Sequence, residues 1–374
     1  MKTLKKYKVH PSLLIILFSF IVISLITIGS AEKLISSNNL VIKQLLWYVV
    51  GFIFIFFIMK VGNGYIYKNT FILYIIGIIS LAGLLMFAEP INNARCWYSI
   101  PGIGTIQPSE FMKIILILTL ATTIKQFNDK YPNPTLMEEF KFLIKVSIIV
   151  FIPSILTFLQ PDTGVVLIYL LITIIMLFIS GIRYRWFVIF FSTLLVLVLI
   201  ILGIYFINTD LFIKLFGTSF FLRIDRLLDW SNNSGYQLQN GLASIGSGGL
   251  LGLGINNTPI YFPEPQTDFI FAVYANNFGF IGNIILIFLL TIFDIILIQL
   301  GKKNNRLNNK YVIAGIVGML IYQQLQNIGM TFGLMPITGI TLPFISYGGS
   351  SLLSYMIMMG IIFNISNDTL KYTN

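Results

Sequence analysis

Ten apolar stretches constrain this chain more than any motif does: residues 13–28, 45–59, 71–86, 108–124, 142–159, 163–179, 186–207, 269–300, 312–328 and 344–363. Each is near the length that carries an α-helix across about 30 Å of hydrocarbon, where the backbone must satisfy its own hydrogen bonds. A composition of 56% hydrophobic and 10% charged residues departs from that of a water-soluble domain in the same direction. The expected fold is an all-α membrane protein, a polytopic bundle of about ten transmembrane helices. The first stretch is long for a signal-peptide core, and no small-residue cleavage site follows it, so it reads as a retained helix.

Orientation follows from the basic residues, which are held on the cytoplasmic side during insertion. Lys2, Lys5, Lys6 and Lys8 precede the first span, and Lys60 and Lys68 follow the second. Lys125, Lys130, Lys141 and Lys145 follow the fourth, Arg183 and Arg185 the sixth, Lys302, Lys303, Arg306 and Lys310 the eighth, and Lys371 the tenth. These are 17 of the 24 lysines and arginines, all on one side, which puts both termini in the cytoplasm. Glu89, Glu110, Asp162, Asp225, Asp229, Glu264 and Asp268 fall at or beyond the outer boundary. The net charge of +10 is split among short loops, which argues for membrane anchoring on anionic lipids and against nucleic acid as a partner.

The longest connection, about residues 208–266 between the seventh and eighth spans, is expected outside the membrane and exceeds the usual length of a structureless loop. It holds two amphipathic pieces, LFIKLFGTSFFLRIDRLLDW and GYQLQNGLASIGSGG, and no second soluble domain, so residues 1–374 read as one integral membrane domain. Two spans open alike, on Gln107-Pro108-Ser109-Glu110 and Gln160-Pro161-Asp162-Thr163, where proline suits a first helical turn and an acid suits the positive end of the dipole. The glycine-rich GSGGLLGLG lacks the Gly-Lys-Ser/Thr ending and the preceding strand of a phosphate loop, so no nucleotide site is expected; close backbone packing is the ordinary reading. SYGGSS, at the start of the last span, permits tight helix contact.

Catalytic chemistry is scarce. One histidine, His10, and one cysteine, Cys96, exclude a Ser-His-Asp triad, a Cys-His pair and a multi-histidine zinc site. Proton transfer falls to Asp, Glu, Lys or Tyr. Asp268, in PEPQTDFIFAV, sits at the mouth of a long apolar helix, where it is either a functional acid or, with Thr267, an N-terminal cap. Glu110 and Lys113 share a helix face three residues apart; they either serve function or pair with each other, or Lys113 meets Asp162, to hold helices together. Asp294 reads as an interfacial charge or helix contact.

In combination, ARCWYSIPGIGTIQPSEFMK, QPDTG, LRIDRLLDW followed by GYQ, SIGSGGLLGLG, PEPQTDFIFAV and GLMPITGITLPFISYGGSS resemble the SEDS family of membrane peptidoglycan polymerases, over nearly the whole chain. The resemblance implies a glycosyltransferase that extends glycan strands from lipid II, with the undecaprenyl pyrophosphate carrier as leaving group. It implies that Asp268 is the general base toward the attacking sugar hydroxyl. It further implies that Arg95, Lys113, Arg223 and Arg226 hold the pyrophosphate, and that Glu110 and Asp162 position Lys113 or bind a divalent cation, Mg or Mn. The implied partner is a class B penicillin-binding protein transpeptidase. This chain departs from the family pattern at Gln266, where a histidine is frequent, at Cys96, where a second arginine is common, and at Trp230, which replaces a proline. A lipid II flippase, or a non-catalytic scaffold of an elongation or division complex, is the alternative reading.

Overall fold

In the computed structural model, residues 9–91, 94–100, 104–218, 220–222, 224 and 235–372 are described. The chain is helical almost throughout: α1 (Pro11–Leu34), α2 (Leu40–Val61), α3 (Asn63–Lys68), α4 (Thr70–Phe87), α5 (Pro108–Lys130), α6 (Leu136–Leu159), α7 (Thr163–Ile179), α8 (Tyr184–Ile207), α9 (Thr209–Phe216), α10 (Tyr236–Ser247), α11 (Ile270–Lys303), α12 (Leu307–Thr331) and α13 (Gly349–Tyr372). One short antiparallel hairpin, β1 (Tyr98–Ile100) and β2 (Gly104–Ile106), interrupts them.

Each of the ten apolar stretches falls largely on a helix. Seven of these helices, α1, α2, α4, α6, α8, α11 and α13, are long and apolar enough to cross a membrane, and α7 is a shorter apolar helix. α5 and α12 are as long but more polar, and their position explains why. Gln323, Gln324, Gln326 and Asn327 of α12 are all buried, as are Glu110 and Lys113 of α5. α13 buries every residue from 349 to 370 except Gly349, Ile357, Asp368 and Leu370, whereas α8 buries only Tyr205. Polar side chains thus collect where protein surrounds them, and the helix facing outward all round is apolar all round. This is the arrangement that hydrocarbon solvent imposes.

Close approach in the centre depends on small residues. A Cβ on Gly51 of α2 would come within 2.5 Å of Met356 Cγ, and one on Gly360 of α13 within 2.9 Å of Ile58 Cβ. α11 is broken at Gly279, whose φ is +63°. The break frees backbone groups inside the bundle, and GSGGLLGLG supplies their partners. Phe280 N–H donates to the Gly249 carbonyl (2.9 Å), Ile281 N–H to Leu250 (3.1 Å), and Leu253 and Gly254 N–H groups donate to Asn276 (2.9 Å) and Asn277 (3.1 Å). Gly252, at φ +85°, passes so near Asn277 that a Cβ would collide with its carbonyl oxygen. Gly252→Ala therefore combines a left-handed backbone with a backbone clash, and is expected to cost roughly 2 kcal/mol or more. A drop in the thermal midpoint of the detergent-solubilised protein checks this, with Gly246→Ala, which meets open space, as the control.

Two expectations shift in position. The last helix begins at Gly349, five residues after the apolar stretch does, because Phe344 adopts φ +64° and residues 343–346 turn and bend the chain. Pro108 does occupy the first turn of α5, but Pro161 lies outside α7, whose N-cap is Asp162. The long connection is not featureless: α9 and α10 lie within it.

Candidate active site

Five helices, α2, α5, α7, α11 and α13, begin around one cavity of ≈ 930 Å³. Their positive dipole ends face it together, a setting that favours negative charge. The opposite ends of α2, α5 and α11 carry Lys60, Lys130, Lys302 and Lys303 in their last turns. The hairpin closes one side of the cavity. Ser350 Oγ donates to the Thr105 carbonyl (3.2 Å) and accepts from Gln107 N–H (2.9 Å), tying β2 to the start of α13.

Asp268 lines this cavity. It is not a cap: α11 has Phe269 at its N-cap position and no side-chain cap bond, while Thr267 Oγ1 donates instead to Glu264 Oε2 (2.8 Å). The rest of the protein holds the turn that carries Asp268 through its backbone carbonyls. Asn327 Nδ2 donates to the Asp268 carbonyl and to that of Ile340, both at 2.8 Å. Ser346 Oγ donates to the Thr267 carbonyl (2.7 Å), and Tyr347 N–H donates to that of Gln266 (2.8 Å). The carboxylate itself projects into the cavity beside Gly339, where a Cβ would sit 3.5 Å from Oδ2. Withdrawal from water pushes its pKa up to about 7, and the charges of Glu264 and Asp162 push the same way. A half-buried acid poised near neutrality, with its backbone fixed and no hydrogen bond to its oxygens among the described residues, is equipped to exchange a proton.

Glu110 and Asp162 line the same cavity but are engaged. Lys113 Nζ donates to Glu110 Oε2 at 2.8 Å and lies 5.3 Å from the Tyr355 ring centroid, fully buried behind the cavity wall. Asp162 caps α7 through Val165 N–H (3.3 Å) and accepts from Gln107 Nε2 (2.8 Å) and Ser109 Oγ (3.1 Å). Burial raises its pKa, with the Glu110 charge adding to the effect. One Glu110 oxygen is thus occupied by an ammonium and Asp162 by three donors. Among the described residues no three of His, Cys, Asp and Glu are grouped so that they could hold a metal ion. The pair as arranged does not fit a resident divalent ion.

Of the cations assigned by resemblance, Lys113 sits behind Glu110, and Arg95 is exposed, donating to the Leu85 carbonyl (3.2 Å) without lining the cavity. Arg223 and Arg226 lie outside the described residues, as does Trp230. Cys96 lines the cavity as a buried thiol donating to the Gln160 carbonyl (2.7 Å), and burial with the Asp162 charge pushes it up to about 12, so it stays protonated. Gln266 Nε2 donates to Glu264 Oε2 (3.0 Å), beside the acid rather than on it. Asp294 is a helix contact, accepting from Gln324 Nε2 (3.3 Å). Lys43 and Trp47 also line the cavity, outside every motif of the sequence, and Glu264 and Tyr347 line it from within PEPQTDFIFAV and SYGGSS. The only sequence signal for Lys43 and Trp47 is their i, i+4 spacing near the start of an apolar helix.

The family model for cell cycle proteins of the FtsW, RodA and SpoVE type matches residues 7–371. The chain belongs to this family. Stage V sporulation protein E of Bacillus subtilis is 33% identical to this family member over 96% of this chain and 98% of its own length. A probable peptidoglycan glycosyltransferase FtsW of Coxiella burnetii is 36% identical over 83% of this chain and 80% of its own. Among solved structures, a chain of a peptidoglycan synthase complex that coordinates polymerization and crosslinking aligns with TM-score 0.80 at 24% identity, covering 98% of this chain and 99% of that one. The rod shape determining protein RodA of Thermus thermophilus aligns with TM-score 0.69 at 24% identity over 96% and 97%. These two alignments establish the FtsW/RodA/SpoVE fold, a polytopic helical membrane bundle, for this chain.

Proposed function

We propose that this protein is a peptidoglycan glycosyltransferase that polymerises lipid II, with Asp268 as the general base. The observation that carries the reading is the uncapped carboxylate of Asp268, with a pKa raised to about 7, projecting into a cavity where five helix N-termini meet. The ionised carboxylate takes the proton of the attacking sugar hydroxyl as that oxygen bonds to the anomeric carbon. The bond from the anomeric carbon to phosphate breaks with both electrons on the leaving diphosphate. The converging helix N-termini stabilise the developing negative charge. Lys113 contributes through Glu110 rather than by contact, Asp162 fixes the mouth of α7, and Arg95, Arg223 and Arg226 are assigned to the approach of the pyrophosphate.

The whole chain acts as one membrane domain of about ten spans, the cavity faces the outside, and both termini are cytoplasmic. The lysines at the far ends of α2, α5 and α11 support that orientation. The partner is a class B penicillin-binding protein transpeptidase, which would crosslink the strands; the fold shared with a chain of a synthase complex that couples polymerization to crosslinking supports it. Purified protein in lipid nanodiscs with labelled lipid II is expected to yield glycan polymer. Transfer of lipid II between vesicle leaflets without polymer would replace the enzyme with a flippase.

A further inference from the structure

We propose that Lys43 is the residue that grips the phosphate-bearing headgroup of the lipid-linked substrate in the cavity; this rests on the glycosyltransferase reading above and adds the anion contact to it. Lys43 is exposed near the start of α2 and lines the cavity, where it is the sole lysine or arginine among the described residues.

Four carboxylates line the same space, Glu110, Asp162, Glu264 and Asp268, so a bare count predicts repulsion of a diphosphate. Hydrogen bonding changes that count. Glu110 is paired with Lys113, Asp162 accepts three bonds, and Glu264 accepts from Gln266 Nε2 (3.0 Å) and Thr267 Oγ1 (2.8 Å). Asp268 is poised near 7 and so carries only part of its charge at neutral pH. Lys43, by contrast, has no ion-pair partner among the described residues. It is the unpaired cation of the cavity among the described residues, and five helix N-termini add to the field that an anion meets there.

The placement is mechanical as well as electrostatic. Gln44, the next residue, donates from Nε2 to the Ser346 carbonyl (3.2 Å) and accepts from Gly348 N–H (3.4 Å). Ser346 in turn donates to the Thr267 carbonyl (2.7 Å), one residue before Asp268. Trp47, four residues on and on the same helix face, packs so closely on Gly349 that a Cβ there would lie 2.6 Å from the ring. The turn bearing the cation and the turn bearing the base are therefore joined by one loop, residues 344–349. Such coupling fixes the leaving diphosphate relative to the attacking hydroxyl, and a lysine serves phosphate as a mobile point charge.

The test uses Asp268→Asn protein, which is expected to hold substrate while turning it over only slowly, in phosphatidylcholine nanodiscs with fluorescent lipid II as probe. Adding Lys43→Gln is expected to weaken binding roughly tenfold, the loss of one charge-assisted contact, and Lys43→Arg to recover most of it. Excess phosphatidylglycerol is expected not to compete. Unchanged affinity in Lys43→Gln overturns the proposal and leaves the glycosyltransferase reading intact. Equal competition by phosphatidylglycerol overturns it too, by reassigning Lys43 to bulk headgroups. Absence of saturable binding in the Asp268→Asn parent removes the functional reading itself, and the proposal with it.

Discussion

Replacing Asp268 with Asn is expected to lower glycan polymerisation by roughly 10²- to 10⁴-fold, the usual contribution of a positioned general base, while lipid II binding is retained. The substitution is nearly isosteric, and the bonds from Asn327, Ser346 and Tyr347 that fix the turn run to backbone carbonyls of residues 266–268, which Asn leaves in place. A loss of kcat with KM little changed separates a proton-transfer role from a structural one. Stability should move the other way. A carboxyl whose folded pKa is about 7 rather than 3.8 favours folding while protonated, and that contribution fades as pH rises from the unfolded value through 7. Asn carries no such charge, so at pH 8 the variant is expected to melt above the parent, with the difference shrinking toward pH 5.

Lys113→Met is the second large effect, and it falls on the fold. Lys113 is fully inaccessible and its partner Glu110 nearly so, with 2.8 Å between Nζ and Oε2. Removing the cation strands a carboxylate that is almost wholly buried, a loss of about 3–5 kcal/mol for a broken buried pair. Removing both charges is far milder, because no unpaired ion remains. Thermal midpoints in detergent should show Lys113→Met strongly destabilised and the Lys113→Met, Glu110→Gln double substitution restored most of the way. Equal destabilisation of single and double variants would mean that packing of the lysine stem against Tyr355, not the charge pair, holds this part of α5.

The helices were legible because hydrocarbon leaves a chain few options, and most of each apolar run is helical. Their ends were less so. Phe344 to Tyr347 reads as the start of a span, yet this segment folds as a turn because its polar groups are needed by Thr267, Gln266 and Gln44. At Asp268 the sequence permits both a cap and a free acid. The choice depends on α11 starting two residues later, at Ile270, which a single sequence does not specify. Lys113 and Glu110 were readable as a pair from their spacing, but only burial shows that the lysine faces away from the cavity. Lys43 had no motif at all. It becomes visible only when the loop of residues 344–349 draws the start of α2 to the Asp268 turn.

The pH dependence of kcat/KM for lipid II polymerisation, measured on purified protein and on Asp268→Asn, tests the central claim most directly. The native protein should lose activity tenfold per pH unit below about 7, as the base takes up its proton, and level off above it. The slow residual reaction of Asp268→Asn should lack that acid limb. An unchanged limb in Asp268→Asn, or polymer formed at the native rate, would contradict the assignment of Asp268 as the base.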